Sequence, residues 1–301
     1  MLHRAYYALP DWRNRSGEAT AGVYGFLSML FKAIEELKPT HLVVVFDTPM
    51  PTFRHTMYVG YQTTREKDRQ VSEDIWSQVD KLKLVFEKME VPVFAVGGFE
   101  ADDVIGTLCL QATRNKKQET NKLKGQNSKI QEAIVITGDR DLMQLVTDKV
   151  KLYMPQKGLS DGVIVDRDKV KERLGVWPEL VVDYKALVGD SSDNYPGVEG
   201  IGPKTAVKLI EEFGSFEDIV KKSGNEKVVR GYEGGELSKR LATINTNTPV
   251  SCDLGKCKLP EMKSVTAVLK ELGYKSLIKR MTGEDIKVDD QQGSLFERID
   301  Q

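Results

Sequence analysis

The stretch His41-Leu42-Val43-Val44-Val45-Phe46-Asp47 decides the fold, because it joins an uninterrupted apolar run to a single acid. A short continuous apolar run is typical of a strand buried in a parallel sheet. Before it, apolar residues recur at helical spacing over residues 16–38, and Pro39 ends that helix. The sequence therefore predicts a helix followed by a buried strand.

The same alternation repeats along the first half of the chain. A helix near 72–89 precedes a strand at 91–96, a helix near 100–113 precedes a strand at 133–136, and another strand follows at 150–153. Alternating helices and strands predict an α/β fold with a mostly parallel central sheet flanked by helices. The polar, basic segment 114–129 between two of these elements is typical of a solvated loop.

After Trp177 the strand signals stop. Helical patterns then occupy 178–188, 203–213, 215–222, 236–245 and 264–282, which predicts a helical subdomain. We therefore divide the chain into an α/β domain at 1–176, a helical subdomain at 177–285 and a polar tail or linker at 286–301.

The composition argues against a strongly basic protein, a membrane protein and a secreted protein. The 301 residues carry a formal net charge of −1, so any basic surface must come from local segregation of charge. No apolar stretch approaches the roughly 20 residues that cross a bilayer, so we expect no membrane segment. Three cysteines without CxxC spacing, and no signal-peptide pattern at the start, favour a reducing cytoplasmic location.

Acidic residues follow the predicted strands. Asp47 follows the strand at 41–46, and further acids follow the next two strands. Parallel strands bring their carboxyl ends to one sheet edge, where ligands bind. Two acids between the domains can fold over the same edge, so we expect eight acids to converge: Asp47, Glu100, Asp102, Asp103, Asp139, Asp141, Asp190 and Asp193.

Such a cluster needs protons or hard cations, because carboxylates repel one another. Oxygen-only ligands select Mg²⁺ or Mn²⁺, and two such ions can bind the attacking and leaving oxygens of a phosphodiester displacement. The alternative is that acids in a first helical turn cap its N–H groups, and for Glu100 or Asp141 alone this alternative is favoured. Acids at three strand ends together favour the metal site.

The run Pro196-Gly197-Val198-Glu199-Gly200-Ile201-Gly202-Pro203-Lys204-Thr205-Ala206 precedes a predicted helix. Its glycines suit a tight turn, and the N–H groups at a helix start attract anions. We expect this helix-hairpin-helix motif to contact DNA phosphates without reading bases. The candidate contacts are Gly200, Ile201, Gly202, Lys204, Thr205 and Lys208. The alternative is a glycine-rich connector between two packed helices.

Five motifs together resemble, over about residues 1–285, those of the 5′-3′ exonuclease (5′ nuclease) domain of bacterial DNA polymerase I, in the flap endonuclease family. They are Phe46-Asp47 with Pro51-Thr52-Phe53-Arg54-His55, Gly98-Phe99-Glu100-Ala101-Asp102-Asp103, Thr137-Gly138-Asp139-Arg140-Asp141, Gly189-Asp190-Ser191-Ser192-Asp193-Asn194 and Gly200-Ile201-Gly202.

The resemblance implies a PIN-like 5′ nuclease fold and a metal-dependent phosphodiesterase that removes 5′ ends and 5′ flaps in primer removal and repair. It assigns Asp47, Glu100, Asp102 and Asp103 mainly to one ion and the other four acids mainly to a second. It further implies a monovalent cation at the hairpin and sequence-independent binding of flapped, nicked or branched DNA. A DNA polymerase is the expected partner, in cis or in trans.

The resemblance also implies an arch over the active site, here about residues 49–72. Bases and an aromatic alternate there: Arg54, His55, Tyr61, Arg65, Lys67 and Arg69. Cations can hold the scissile phosphate, and Tyr61 can stack on an unpaired base. The candidate catalytic residues are therefore Arg4, Arg54, Tyr61 and Arg65; the alternative for the segment is a mobile surface loop.

Two departures from the family pattern stand out. Family members begin with an apolar strand ending in Asp-Gly, whereas this chain starts after that point, so we expect one central strand and one metal ligand to be lacking and stability to be marginal. The arch usually reads Tyr-Lys, but Gln62 follows Tyr61 here. These departures leave open a protein that binds DNA flaps or junctions without cleaving them. A ribonuclease of the same sheet architecture would lack the helical annex with its hairpin.

Overall fold

A computed structural model describes residues 1–14, 17–63, 69–114, 130–156, 162–271 and 274–282. The α/β part contains helices α1 (Leu2–Ala8), α2 (Ala21–Leu37), α3 (Phe53–Met57), α4 (Arg69–Lys88), α5 (Ala101–Thr113) and α6 (Arg167–Leu174). Its strands are β1 (Val44–Val45), β2 (Val93–Phe94), β3 (Ala133–Ile136), β4 (Val150–Pro155) and β5 (Gly162–Val165). The rest is helical: α7 (Val181–Val188), α8 (Pro203–Phe213), α9 (Phe216–Lys222), α10 (Glu226–Arg230), α11 (Tyr232–Ala242), α12 (Met262–Glu271) and α13 (Lys275–Thr282).

The strands of the described ranges form two sheets. β1 pairs in parallel with β2, with Val44 opposite Val93. β3 pairs in parallel with β4, with Ala133 opposite Val150, and β5 adds an antiparallel edge to β4. This arrangement agrees with the predicted mostly parallel α/β architecture; the antiparallel strand was not predicted.

A cavity of about 2660 Å³ lies between the two sheets. One wall is the stretch from His41 to Asp47, which contains β1, and another runs from Ile130 to Asp139, which contains β3. In the described part of the chain, no strand hydrogen-bonds to β1 or β3 from this side. The expected low stability stays a prediction.

Two helix boundaries place the acids that follow β1 and β2. Helix α2 ends where Lys38 adopts a left-handed conformation, with φ of 47°, ahead of Pro39, and this turns the chain into β1. Helix α5 begins with a capping box, in which the Glu100 side chain accepts the N3 backbone N–H and the Asp103 side chain accepts the Glu100 N–H. Glu100 therefore caps helix α5, which was the alternative to a role in metal binding.

The hydrophobic core crosses the predicted boundary between the domains. Leu152 of β4 and Val165 of β5 belong to the same buried cluster as Leu209 of α8 and Ile219 of α9. A second cluster joins α2, α4 and α13, around Phe86. The helical part thus packs directly on the sheet and fixes the hairpin relative to the strand ends.

Most predicted helices occur within a few residues of their expected bounds, whereas α1, α3, α6 and α10 were not predicted. These four have only five to eight residues, too few to show an apolar period. Residues 115–129 and 286–301 lie outside the described ranges. Within those ranges, no helix has the length and apolar character that a membrane span requires.

Candidate active site

The eight predicted acids form one electrostatically coupled group. The charges of Asp139, Asp47, Glu100 and Asp141 act on Asp102. Those of Asp193 and Asp103 act on Glu100, and that of Asp190 acts on Asp141. The structure therefore brings all eight acids together, as the strand-end argument predicted.

Burial and mutual repulsion make several of these acids hard to ionise. Burial first, and then the neighbouring carboxylates, raises the pKa of Glu100 to about 7. Burial likewise raises the pKa of Asp141 to about 6, although Lys185 opposes the shift. The pKa of Asp102 is raised well above its ordinary value by burial and by the charges of Asp139 and Asp47.

One lysine from α7 neutralises the acids nearest the helical part. Lys185 Nζ lies 2.6 Å from Asp141 Oδ1 and also contacts Asp190. Burial opposes ionisation of Asp190, but hydrogen bonds from Lys185 and Ser192 outweigh it and hold the pKa of Asp190 at about 2. This lysine was not predicted, because its helical position alone gave no sign that it faces the acids.

Arg54 and Asp103 make a buried ion pair instead of the predicted separate contacts with phosphate and metal. Two guanidinium nitrogens of Arg54 donate to the two oxygens of Asp103 at 2.8 and 2.9 Å. Arg54 also donates to the carbonyl of Leu241, in the last turn of α11, and to that of Thr243, just after this helix. Both side chains are buried, so Arg54 joins α3, α5 and the helical part and does not face an open cleft.

Tyr61 is likewise buried among the acids and not exposed for stacking on a base. Its hydroxyl lies 3.2 Å from Glu100 Oε2 and 3.3 Å from Asp193 Oδ2. The ring meets His55 edge-on, and His55 Nδ1 lies 3.0 Å from the Thr52 hydroxyl in a capping box for α3. In this arrangement Tyr61 and His55 pack against the site and do not present a stacking surface.

The described part of the arch is docked on the loop that carries two of the acids. Gln62 N–H donates to the carbonyl of Asp193 at 2.9 Å, and Asn194 Nδ2 donates to the carbonyl of Gly60 at 2.8 Å. Gln62 Nε2 reaches Glu100 Oε1 at 3.4 Å, so the amide at the position where the resemblance implies a lysine contacts one of the acids. Arg65 and Lys67 lie outside the described residues, and Arg69 begins α4.

Arg4 lies on the wall of the cavity between the two sheets. Its guanidinium donates to the backbone carbonyl of Gln156, just after β4, and it lines the cavity together with Met1, Asp47 and Asp139. Its role as a catalytic residue stays a prediction.

The donor chemistry of the cluster fits a hard divalent cation. Every acid offers oxygen, and buried hydroxyls of Thr48 and Tyr195 lack a hydrogen-bond partner among the described residues. The charges of Asp141, Asp190 and Asp193 all act on Tyr195. Among the described residues, however, no three His, Cys, Asp or Glu side chains are close enough to hold one ion. Lys185 contacts Asp141 and Asp190, and Arg54 contacts Asp103 and Glu100.

Tyr195 was also missed, because a single tyrosine after Asn194 carries no chemical pattern of its own. Its backbone bridges to Asp190 in both directions, which holds the ring under the acidic loop.

The hairpin is well formed beside this cluster. Gly200 has a φ of +76°, and Ile201 is buried and anchors the turn in the core. Gly202, Lys204, Thr205 and Lys208 are exposed at the start of α8. Lys227 Nζ donates to the carbonyl of Gly200 at 3.2 Å, so α10 braces the turn from behind.

Comparison with known proteins gives the family. The model of the 5′-3′ exonuclease N-terminal resolvase-like domain matches residues 1–175, and that of the 5′-3′ exonuclease C-terminal SAM fold matches residues 176–265. A 5′-3′ exonuclease of Bacillus subtilis is 36% identical over 84% of this chain and 83% of its own length. One of Aquifex aeolicus is 35% identical over 93% of this chain and 91% of its own.

DNA polymerase I of Bacillus subtilis is 34% identical over 98% of this chain. The chain spans about a third of the length of that relative, 32%.

Solved structures share the fold. The bacteriophage T5 protein co-crystallised with metal ions matches with a TM-score of 0.57 at 19% identity, over 87% of this chain and 89% of its own. The catalytic core of Rad2 in complex with DNA substrate matches with a TM-score of 0.53 at 15% identity, over 94% and 85% of the two chains. The PIN-like architecture is thereby confirmed, and nothing in these likenesses favours a non-catalytic protein. The chain belongs to the 5′-3′ exonuclease family.

Proposed function

We propose that this chain is a divalent-metal-dependent 5′-3′ exonuclease and structure-specific 5′-flap endonuclease that hydrolyses DNA phosphodiesters. The observation that supports this most is the electrostatic interaction of eight carboxylates from four segments of the chain, together with an exposed glycine hairpin. A cluster that resists its own ionisation favours the binding of cations.

Mg²⁺ or Mn²⁺, once bound, would lower the pKa of water and stabilise charge on the phosphate oxygens. Asp47, Asp102 and Asp139 all line the cavity, and we assign them to one ion, which would draw their carboxylates together. Glu100 and Asp193, joined through the Tyr61 hydroxyl, and Asp141 and Asp190, joined through Lys185, are the acids for a second. Lys185 joins its two acids and lowers the pKa of each against the effect of burial.

The hairpin supplies contacts with the DNA backbone. Gly202 is exposed, and a Cβ built on it meets nothing within 4 Å, so a phosphate can approach the backbone closely. Lys204 and Lys208 add charge on the same exposed turn. A monovalent cation at the hairpin belongs to this part of the proposal.

In this proposal residues 1–176 supply six of the eight acids, and residues 177–285 hold the duplex and supply Lys185, Asp190 and Asp193. The DNA partner is a 5′ flap, nick or branch, bound without regard to base sequence, in primer removal and repair in the cytoplasm. A DNA polymerase, in cis or in trans, would act on the gap that cleavage leaves.

The test is cleavage of a 5′-flap duplex labelled at its 5′ end, with Mg²⁺ or with excess chelator. We expect cleavage with Mg²⁺ alone, and its loss in Asp139→Ala with flap binding by fluorescence anisotropy retained. The matched control is Asp148→Ala, because the Asp148 side chain is 96% exposed and is not one of the eight acids. Full cleavage in chelator, or by Asp139→Ala, would refute the proposal.

A further inference from the structure

Two of the three cysteines lie side by side, although the sequence spacing gave no reason to pair them. Cys252 Sγ and Cys257 Sγ are 2.6 Å apart, about half an ångström longer than the ~2.05 Å of a disulfide bond. The residues between them are ordered: Asp253 accepts the Gly255 N–H at 3.0 Å and caps a short 3₁₀ turn at Leu254–Lys256.

The pair is also tied to the entry of β1. The carbonyl of Cys257 accepts the Leu42 N–H at 2.7 Å, and Leu259 N–H donates to the carbonyl of Thr40 at 3.0 Å. This short antiparallel contact holds the cysteine loop against the segment that leads into β1 and then Asp47. The Cys257 end of the loop is thus held against the main chain ahead of β1.

We propose that Cys252 and Cys257 are a redox modification site, which forms a reversible intramolecular disulfide on reaction with a low-molecular-weight disulfide such as oxidised glutathione. The two cysteines line the same cavity as Asp47, Asp102 and Asp139 but are not part of the carboxylate cluster, and the proposal does not depend on the proposed nuclease activity.

The chemistry proceeds by two thiol–disulfide exchanges. The Cys252 thiolate, on the more exposed residue, attacks one sulfur of oxidised glutathione, forms a mixed disulfide and releases one glutathione thiolate. Cys257 then loses its proton to water and attacks Cys252 Sγ, which releases the second glutathione. The protein is oxidised by two electrons, and one oxidised glutathione becomes two reduced molecules.

Burial explains the order of these steps. Burial, together with the neighbouring Cys252 thiol, raises the pKa of Cys257 to about 12. The Cys257 thiol also donates to the carbonyl of Asp253 at 3.2 Å, which holds it in its protonated form. Cys257 therefore reacts only within the mixed disulfide, where its partner sulfur is held beside it.

The experiment measures mass and free thiols of the folded chain after incubation with oxidised glutathione. We expect the chain to lose two hydrogens, and one thiol, that of Cys109 on α5, to remain titratable after denaturation. Dithiothreitol should restore three thiols. Peptide mapping should place the bond between residues 252 and 257, and Cys109→Ala should oxidise equally well.

Cys257→Ser should trap the mixed disulfide. Because this variant cannot carry out the second exchange, one glutathione should remain on Cys252. The folded chain should also close the bond at least about tenfold faster than the chain in denaturant, because the fold positions the sulfurs. Three thiols after incubation, a persistent glutathione adduct on the unsubstituted chain, or equal rates with and without denaturant would each overturn the proposal.

Discussion

Lys185 Nζ lies 2.6 Å from Asp141 Oδ1 and also contacts Asp190, so one ammonium joins the acid after β3 to the acid ahead of the hairpin. All three side chains are largely buried, at 13, 17 and 14% exposure. A cation in this position competes with any metal ion for the same oxygens, while it also prevents the two carboxylates from repelling each other.

Lys185→Met should therefore destabilise the metal-free protein by about 3 kcal/mol, because it leaves two buried carboxylates without their partner. Mg²⁺ should restore more of the Tm in this variant than in the unsubstituted protein. Thermal unfolding with chelator and with Mg²⁺ measures both effects. The control is Lys169→Met, which breaks an exposed pair with Glu172 and should cost under about 1 kcal/mol. Equal Tm values for the two variants in chelator would contradict this account.

Arg54 and Asp103 form the second buried pair, and a double-mutant cycle separates a structural role from the predicted phosphate contact. Arg54→Met should cost about 3–5 kcal/mol, because it leaves the buried Asp103 carboxylate without its ion-pair partner. Asp103→Asn should cost less, because Arg54 Nη1 keeps Glu100 Oε2 at 3.3 Å. The double variant should cost clearly less than the sum, as determined by urea unfolding. Additive losses would show that the two side chains act independently, and this would favour the phosphate contact that the sequence predicted for Arg54.

The sequence was sufficient for those parts of the fold that rest on periodicity. The helix ending before Pro39, the run at 41–46 and the acids at strand ends were all predictable, because burial and topology leave few alternatives. The convergence of six acids followed from parallel strand direction, and Asp190 and Asp193 were added because they lie between the two domains.

The sequence could not predict which side chains pair with which in the site. Arg54, Tyr61 and His55 have the composition of an exposed arch, yet tertiary packing buries the first two against acids that lie at least 39 residues away in the chain. Lys185 and Tyr195 belong to the site only because α7 and the following loop pack over the sheet. Pairings of this kind depend on long-range packing, which local patterns do not encode.

Tyr195→Phe tests the buried hydroxyl among the acids. Without metal, the variant should be more stable by about 1 kcal/mol, because it removes a buried polar group that lacks a partner among the described residues. With Mg²⁺ it should bind the ion severalfold more weakly, as read from the dependence of Tm on Mg²⁺ concentration. Tyr232→Phe, at an exposed stacked tyrosine, is the control and should change neither value. A lower Tm in chelator for Tyr195→Phe would show that the hydroxyl is already hydrogen-bonded.

The hairpin can be tested without damage to the fold. Gly202 has a φ of −95° and open space around its Cβ position, so Gly202→Val should keep the Tm while weakening duplex binding by blocking close approach of a phosphate. Lys204→Ala should reduce the slope of log K against log salt by about 0.9 for one lost phosphate contact. Glu199→Gln, on the same turn, removes no cation and should leave that slope unchanged. A binding loss confined to one DNA sequence would mean that the hairpin reads bases.

The raised pKa values of the cluster predict an unusual dependence of stability on pH. In the unfolded chain the carboxyl groups titrate near pH 4, whereas in the folded protein the pKa of Glu100 is about 7 and that of Asp141 about 6. Between these limits the folded state binds more protons than the unfolded state, so its stability falls as pH rises from about 5 to 7. The depressed pKa of Asp190, about 2, does not affect this window, because its stabilisation is already complete above pH 4.

Thermal unfolding in chelator should therefore show a Tm that decreases between pH 5 and 7, and Mg²⁺ should reduce or reverse the decrease, since a bound cation favours the ionised carboxylates. Glu100→Gln removes one of these contributions and should make the decrease shallower in chelator. Asp148→Asn, at an exposed acid, is the matched control and should reproduce the unsubstituted profile. A Tm that rises with pH in chelator, or that Glu100→Gln leaves unchanged in shape, would show that the carboxylates are ionised in the metal-free fold and that their charges are already compensated by Lys185 and Arg54.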